Sequence, residues 1–328
     1  LMYRFLDHLE PDHIEAIAAL VYVEMLEAGY ASVGEFHYVH HARGGGAYHD
    51  RAETSGRIFS AAKATGIGLT HLPVLYTQGG VDGRELESGQ LRFGNDEEGF
   101  AELLTCARKN LSTMPADYHL GVAPHSLRAV PRELMARVHQ LTDGPIHIHI
   151  AEQLREVEDI VEAYGQRPVT WLLDNAPVDA RWTAVHATHM LPEETTALAS
   201  SGAVAGLCPI TEANLGDGIF DAKTFSAAGG SYGVGSDSNV RISLREELRT
   251  LEYSQRYSTH GRAVLAEGGR STGRTIFEAA VSGGHRALGR NAGTIKPGHW
   301  ADLLALDADA IALAGLKDDT VLDAWLFS

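Results

Sequence analysis

Cysteine is scarce in this chain: only Cys106 and Cys208 occur among its 328 residues. Two thiols cannot make a disulfide framework, and so low a count suits a reducing compartment, which makes the cytoplasm the expected location. Cations are short as well, 27 Lys and Arg against 43 Asp and Glu, a formal net charge of -16. A surface of that sign repels polyanions, so neither nucleic acid nor an anionic membrane is expected as a partner. Long apolar runs are missing. The best of them, residues 14–33, is broken by Glu24 and Glu27 and is no membrane span. No GxGxxG or Walker pattern stands at a strand–helix junction, which argues against a nucleotide-binding α/β protein. Neither an initiator Met nor a signal peptide opens the chain at Leu1, and it stops just after the apolar residues 324–327. Both ends read as cut.

What is present is an ordinary core-forming composition, 44% hydrophobic and 21% charged, with an unusual 17 histidines. The length suits one large α/β barrel with an appendage, or two domains. Apolar periodicity alternates between strand and helix along the chain. Helices are expected over residues 11–29, 51–65, 96–110, 131–141, 153–164, 168–175, 192–200 and 221–228, and then through most of the chain to about 290. Strands are expected at 31–39, 66–76, 119–125, 145–151, 182–186, 203–209 and 232–238, with a last one at 301–307. A polar, Gly-containing stretch at 79–95 is too long for a plain connection and reads as a lid or site loop; another polar loop covers 211–216. Seven strand–helix units are one short of a (β/α)8 barrel, so the first strand is expected upstream of Leu1.

The strand at 145–151 follows the turn signal Gly144-Pro145 and alternates so that His147, His149 and Ala151 share a side. It delivers His149 and, three residues later, Glu152. Other strands end in the same manner: His37 and Tyr38, His125 and Arg128, His186 and His189, Glu212 and Asn214, and Asp237. In a barrel all those ends meet on the face that carries active sites. Each also has a bland explanation. His149 and His186 could be hydrogen-bonded core histidines, Asp237 could cap the next helix, and Arg128 with His125 could sit on a surface loop. His40, His41 and His189 read as structural or solvated, and Cys208 as a small buried hydrophobe.

Taken together, His149, Glu152, His186 in HATH (186–189) and Asp237 in GSDS (235–238) resemble the amidohydrolase superfamily over nearly the whole chain. GTIKPGHWADL (293–303) is similar to that superfamily's return strand into a small β-sandwich. Four longer stretches, GEFHYVHH (34–41), HSLRAV (125–130), HIHIAEQ (147–153) and TEANLGDGIF (211–220), resemble the branch that hydrolyses a formimino derivative of a dicarboxylic amino acid. The resemblance implies a TIM-like metallo-hydrolase barrel over 1–292, lacking its N-terminal strand, and a return segment over 293–328 toward the sandwich. It implies one Zn²⁺ per chain, or another divalent metal. The ion would be held by His149, Asp237 and a His-x-His pair upstream of Leu1, since no such pair occurs before residue 30. Glu152, His186 and Asp237 would be catalytic, Tyr38, His125 and Arg128 would bind a small dicarboxylate substrate, and the protein would be a homodimer. A purine, pterin or imidazolone hydrolase of the same superfamily is the nearest alternative, and a metal-free, non-catalytic barrel is the other. An aromatic content of only 7% leans toward a dicarboxylate rather than a heterocycle.

Overall fold

Paired strands among the described residues run parallel, and helices between most of them return the chain to the same end of the sheet. The computed structural model describes residues 5–328. They form two compact units: 5–150 with 155–177 and 288–290, and 151–154 with 178–287 and 291–328.

In the first unit, Pro11 opens α1 (Pro11–Glu27), where a missing amide costs nothing, and Gly29 ends it at φ 99°. Strand β1 (Ser32–His37) pairs with β2 (Gly68–Leu75) from Ser32 opposite Gly68 to His37 opposite Pro73. Between them lies α2 (Glu53–Thr65), closed by Gly66 in the left-handed conformation. Helix α3 (Glu97–Leu111) starts where the Asp96 carboxylate accepts the Gly99 amide.

The strand expected at 119–125 is split into β3 (His119–Leu120) and β4 (Ala123–Pro124), both paired with β2. The split falls at Gly121, where a β-carbon would lie 2.3 Å from the Pro145 carbonyl oxygen. The Gly121 amide donates to His71 on β2, while the Val122 amide turns to Pro145. That close approach is how the segment reaches β5 (Ile146–Ile150), whose His147 amide donates back to Val122. The expected helix at 131–141 shrinks to α4 (Arg132–Met135) and a 3-10 turn at Val138–Gln140. Helices α5 (Leu154–Tyr164) and α6 (Pro168–Asn175) fall where expected. The 79–95 stretch holds one 3-10 turn, Ser88–Arg92.

The second unit carries β6 (Trp182–His186), β7 (Val204–Leu207) and β8 (Ser231–Val234), adjacent and parallel. Helix α7 (Pro192–Ser201) joins the first two. Residues 211–216, expected as a polar loop, belong instead to helix α8 (Pro209–Leu215), which Pro209 starts and Gly216 stops. Helices α9 (Ala222–Ala227) and α10 (Leu244–Thr259) follow, the latter capped by Ser243. Helix α11 (Thr272–Ala287) lies on β8 through glycine: a β-carbon at Gly283 would stand 1.9 Å from the Tyr232 carbonyl oxygen. The strand expected at 301–307 does not form. That segment is irregular and mostly exposed, because among the described residues no strand pairs with it. The chain ends in α12 (Asp319–Phe327). Among the described residues no helix is long and apolar enough to cross a membrane.

Candidate active site

Polar side chains collect at the C-terminal strand ends of both units. In the first, β5 carries His149, whose Nδ1 lies 3.1 Å from the His125 carbonyl oxygen, an oxygen that also accepts the His149 amide at 3.0 Å. A carbonyl can only accept, so Nδ1 bears the proton and the imidazole lone pair belongs to Nε2. This is the arrangement in which an outer hydrogen bond fixes a histidine for metal ligation through its other nitrogen. The His149 ring also lies 4.6 Å from Phe36 and 5.3 Å from His125, centroid to centroid. His147, on the same strand, is buried, its ring in a T-shaped arrangement with Phe36.

His125 follows β4 and is boxed by aromatic rings, with Tyr76 at 4.9 Å and Tyr38 at 5.7 Å, both edge-on. Burial, and then the neighbouring Arg128 cation, push its pKa down to about 3, so the imidazole is neutral at pH 7. Arg128 makes no salt bridge to a carboxylate among the described residues, and its Nε is buried without a hydrogen-bond partner. An arginine left in that condition is prepared for an anionic ligand. Tyr38, Arg128 and His149 therefore all neighbour His125 in this unit. Tyr76 joins them; its end-of-strand position could have flagged it. His37 stands apart, buried and bonded to Thr54 Oγ1 at 2.9 Å, beside His40 and His71. His40 and His41 bond backbone carbonyls, which is the structural role expected of them.

In the second unit His186 ends β6. Its Nε2 lies 3.8 Å from Glu152 Oε1, and its Nδ1 lies 3.3 Å from Glu212 Oε1. Burial lowers the His186 pKa, but the Glu212 hydrogen bond and the charges of Glu152, Glu212 and Asp237 outweigh it, leaving the value raised. Glu212 sits on α8, and its Oε1 also accepts the Cys208 amide at 3.0 Å. Nearby, Glu247 is fully buried and accepts the Ile210 amide at 2.9 Å; desolvation raises its pKa to about 9, so it is a neutral acid at pH 7. The Cys208 thiol is pushed well up, by burial first and then by Asp237, Glu212, Glu247 and Glu152, and stays protonated. Asp237 does not cap the next helix, which Ser243 caps; it is exposed just beyond β8.

The backbone adds a signal that the sequence hid. Ala151, His186, Ala187 and Asp237 all have φ between 48° and 66°, in the left-handed region that non-glycine residues avoid. The Ala187 amide donates to the Val185 carbonyl, so His186 occupies the centre of a tight three-residue turn. Such strain costs on the order of 1–3 kcal/mol per residue and gathers at functional sites. Here it marks three strand ends, after β5, β6 and β8.

Among the described residues no group of three or more His, Cys, Asp or Glu side chains is placed to hold a metal ion. His149, on β5, and Asp237, beyond β8, each stand near a C-terminal strand end.

The amidohydrolase family model matches residues 2–325. The chain belongs to the amidohydrolase family. Formimidoylglutamate deiminase of Pseudomonas aeruginosa is 50% identical over the full chain, which spans 73% of that relative. The 5-methylthioadenosine/S-adenosylhomocysteine deaminase of Natronomonas pharaonis is 28% identical over 94% of the chain and 66% of its own length. Among solved structures, an amidohydrolase from Brucella melitensis matches with 50% identity and a TM-score of 0.95, over 100% of this chain and 72% of that one. A zinc-bound adenosine deaminase from Xanthomonas campestris, at 24% identity and a TM-score of 0.78 over 98% and 67%, shares the fold. These amidohydrolase likenesses imply a TIM-like α/β fold, in keeping with the parallel sheets of both units.

Proposed function

We propose that this amidohydrolase hydrolyses N-formimino-L-glutamate to N-formyl-L-glutamate and ammonia, in histidine degradation. The observation that carries the reading is the 50% identity, over the whole chain, to the Pseudomonas aeruginosa formimidoylglutamate deiminase. Arg128 supports it. A guanidinium with no carboxylate partner among the described residues, beside the neutral His125, suits a dicarboxylate better than an uncharged heterocycle.

One divalent ion per chain, zinc in this reading, would be held by His149, Asp237 and the His-x-His pair expected upstream, and the tautomer of His149 fits that duty. Such an ion would bring the pKa of a bound water down from far above the physiological range to roughly 7. Glu152 takes a proton from the attacking water and passes it to the departing nitrogen. His186 orients the water and stabilises the charge that develops on its oxygen. Asp237 accepts a hydrogen bond from that water. Arg128 holds a substrate carboxylate, with Tyr38 and His125 beside it. Water adds to the C=N carbon, the C–N bond to the terminal nitrogen breaks, and ammonia leaves with the protons that Glu152 has moved. The segment 293–328 is read as the return toward a small β-sandwich, the protein as a cytoplasmic homodimer, and 79–95 as a loop over the site.

The test is ammonia release from N-formimino-L-glutamate by the complete gene product, with metal content read on the same sample. Release with about one zinc per chain supports the reading. Bound metal without release moves the substrate to another deaminase target, 5-methylthioadenosine being the first to try.

A further inference from the structure

Glu212 lies outside the catalytic set assigned above, yet its carboxylate meets a ring nitrogen of His186. Its Oε1 lies 3.3 Å from Nδ1 and also accepts the Cys208 amide at 3.0 Å. Both residues are almost wholly buried. The opposite ring nitrogen, Nε2, faces Glu152 Oε1 at 3.8 Å, beyond hydrogen-bond reach but within reach of a common reacting atom. The helix that carries Glu212 is itself pinned at its start. Glu247, buried on α10, accepts the Ile210 amide at 2.9 Å, and Thr211 Oγ1 donates to the Ser236 carbonyl at 3.3 Å. His186 needs an outside constraint, since its own backbone sits in a strained left-handed turn at φ 66°.

We propose that Glu212 is a positioning residue: its carboxylate holds the proton of His186 on Nδ1 and so aims Nε2 at the reacting centre beside Glu152. The logic is that of any catalytic base or acid whose far nitrogen is oriented by a third group. It rests on the hydrolytic reading above, in which His186 acts on the attacking water. The Cys208 amide has a second effect: it selects which oxygen of residue 212 faces the imidazole. A Glu212→Gln side chain must turn its carbonyl, not its NH2, toward that amide, and the same oxygen can still accept Nδ1–H. Glu212→Ala leaves both donors unanswered.

The complete gene product and both variants are assayed with N-formimino-L-glutamate, with bound metal and melting temperature measured alongside. Positioning requires Glu212→Ala to lower kcat by about 100-fold or more, the low end of what a placed proton-transfer group contributes. KM stays within about threefold and metal content is unchanged, while Glu212→Gln recovers kcat to within about tenfold of the parent. A helix-capping role alone would lower the melting temperature of Glu212→Ala and leave kcat within about threefold, which overturns the proposal. The ring tautomer is read independently from long-range 1H–15N correlations, with the His186 signal assigned through His186→Asn. The parent must show the Nδ1–H form; an Nε2–H form overturns the proposal even if no variant folds. Should the parent release no ammonia, the hydrolytic reading fails, and retention or loss of the Nδ1–H signal in Glu212→Ala still decides the role of Glu212.

Discussion

Acid should unfold this protein through histidines that take no part in catalysis. His40 and His71 are buried side by side with His37 in the first unit, and each bonds a neutral partner, the Val74 carbonyl or the Ser55 hydroxyl. Burial lowers the pKa of His40 to about 4 and that of His71 to about 3, from an ordinary 6.5. Folded, these rings take up protons less readily than in the unfolded chain. Their contribution is therefore complete above pH 6.5 and disappears as the pH falls from there toward 4 and 3. At pH 5 the unfolded state gains about 1.4 kcal/mol for each of 1.5 pH units, so each ring gives up about 2 kcal/mol and the pair about 4. That is a large part of the stability of an ordinary domain. Urea unfolding followed by circular dichroism at pH 7.5 and pH 5 measures the total. Metal loss in acid adds to it, so the deciding comparison is with His71→Gln. That variant is less stable at both pH values, but its loss between them should be smaller than the parent's by about 2 kcal/mol. An equal loss in both proteins would refute the assignment of acid sensitivity to this cluster.

Glu152→Gln should abolish turnover while zinc stays bound; normal turnover would remove Glu152 from proton transfer. Arg128→Met should raise KM roughly 10- to 150-fold, the effect of losing about 1.5–3 kcal/mol of charge-assisted hydrogen bonding, with kcat changed less. An unchanged KM would reassign the carboxylate site. Gly283→Ala should destabilise the second unit by about 1–3 kcal/mol or more, because its methyl group meets the Tyr232 carbonyl; a thermal melt equal to the parent's would mean that α11 can back away from β8. Chelation should remove activity and added zinc should restore it, whereas equal activity with and without chelator would exclude a metal-dependent reaction.

Most of the architecture was legible because proline and glycine punctuate it. Pro11, Pro168 and Pro192 start helices, and Gly66 and Gly202 end them. Where the reading failed, a non-local contact decided. The break in the strand at 119–125 comes from the Pro145 carbonyl pressing on Gly121, and nothing in the local pattern announces it. The 211–216 segment is polar, yet it folds as a helix because Pro209 sets the first turn and the Glu212 side chain answers the Cys208 amide. The apolar 301–307 segment had strand periodicity, but among the described residues no strand pairs with it. As for the site, strand-end residues were legible one by one, because within each parallel sheet the C-terminal strand ends lie along one edge. The tautomer of His149, the link from Glu212 to His186 and the left-handed backbone at Ala151, His186 and Asp237 were not. Those depend on which atom meets which across elements far apart in the chain.

Residue 125 serves the site twice, through two different parts of itself. Its side chain belongs to the substrate pocket in the reading given above, while its main-chain oxygen sets the protonation of the histidine that would ligate the metal. Every amino acid carries that oxygen. The side chain at 125 is thus open to change, for a longer, shorter or uncharged substrate, without disturbing the electronic state of the neighbouring ligand. A peptide that keeps one duty in its invariant atoms and the other in its variable ones lets substrate preference drift while the hydrolytic centre stays as it was. His125→Asn should accordingly alter which formimino compound is accepted and leave the affinity for zinc alone.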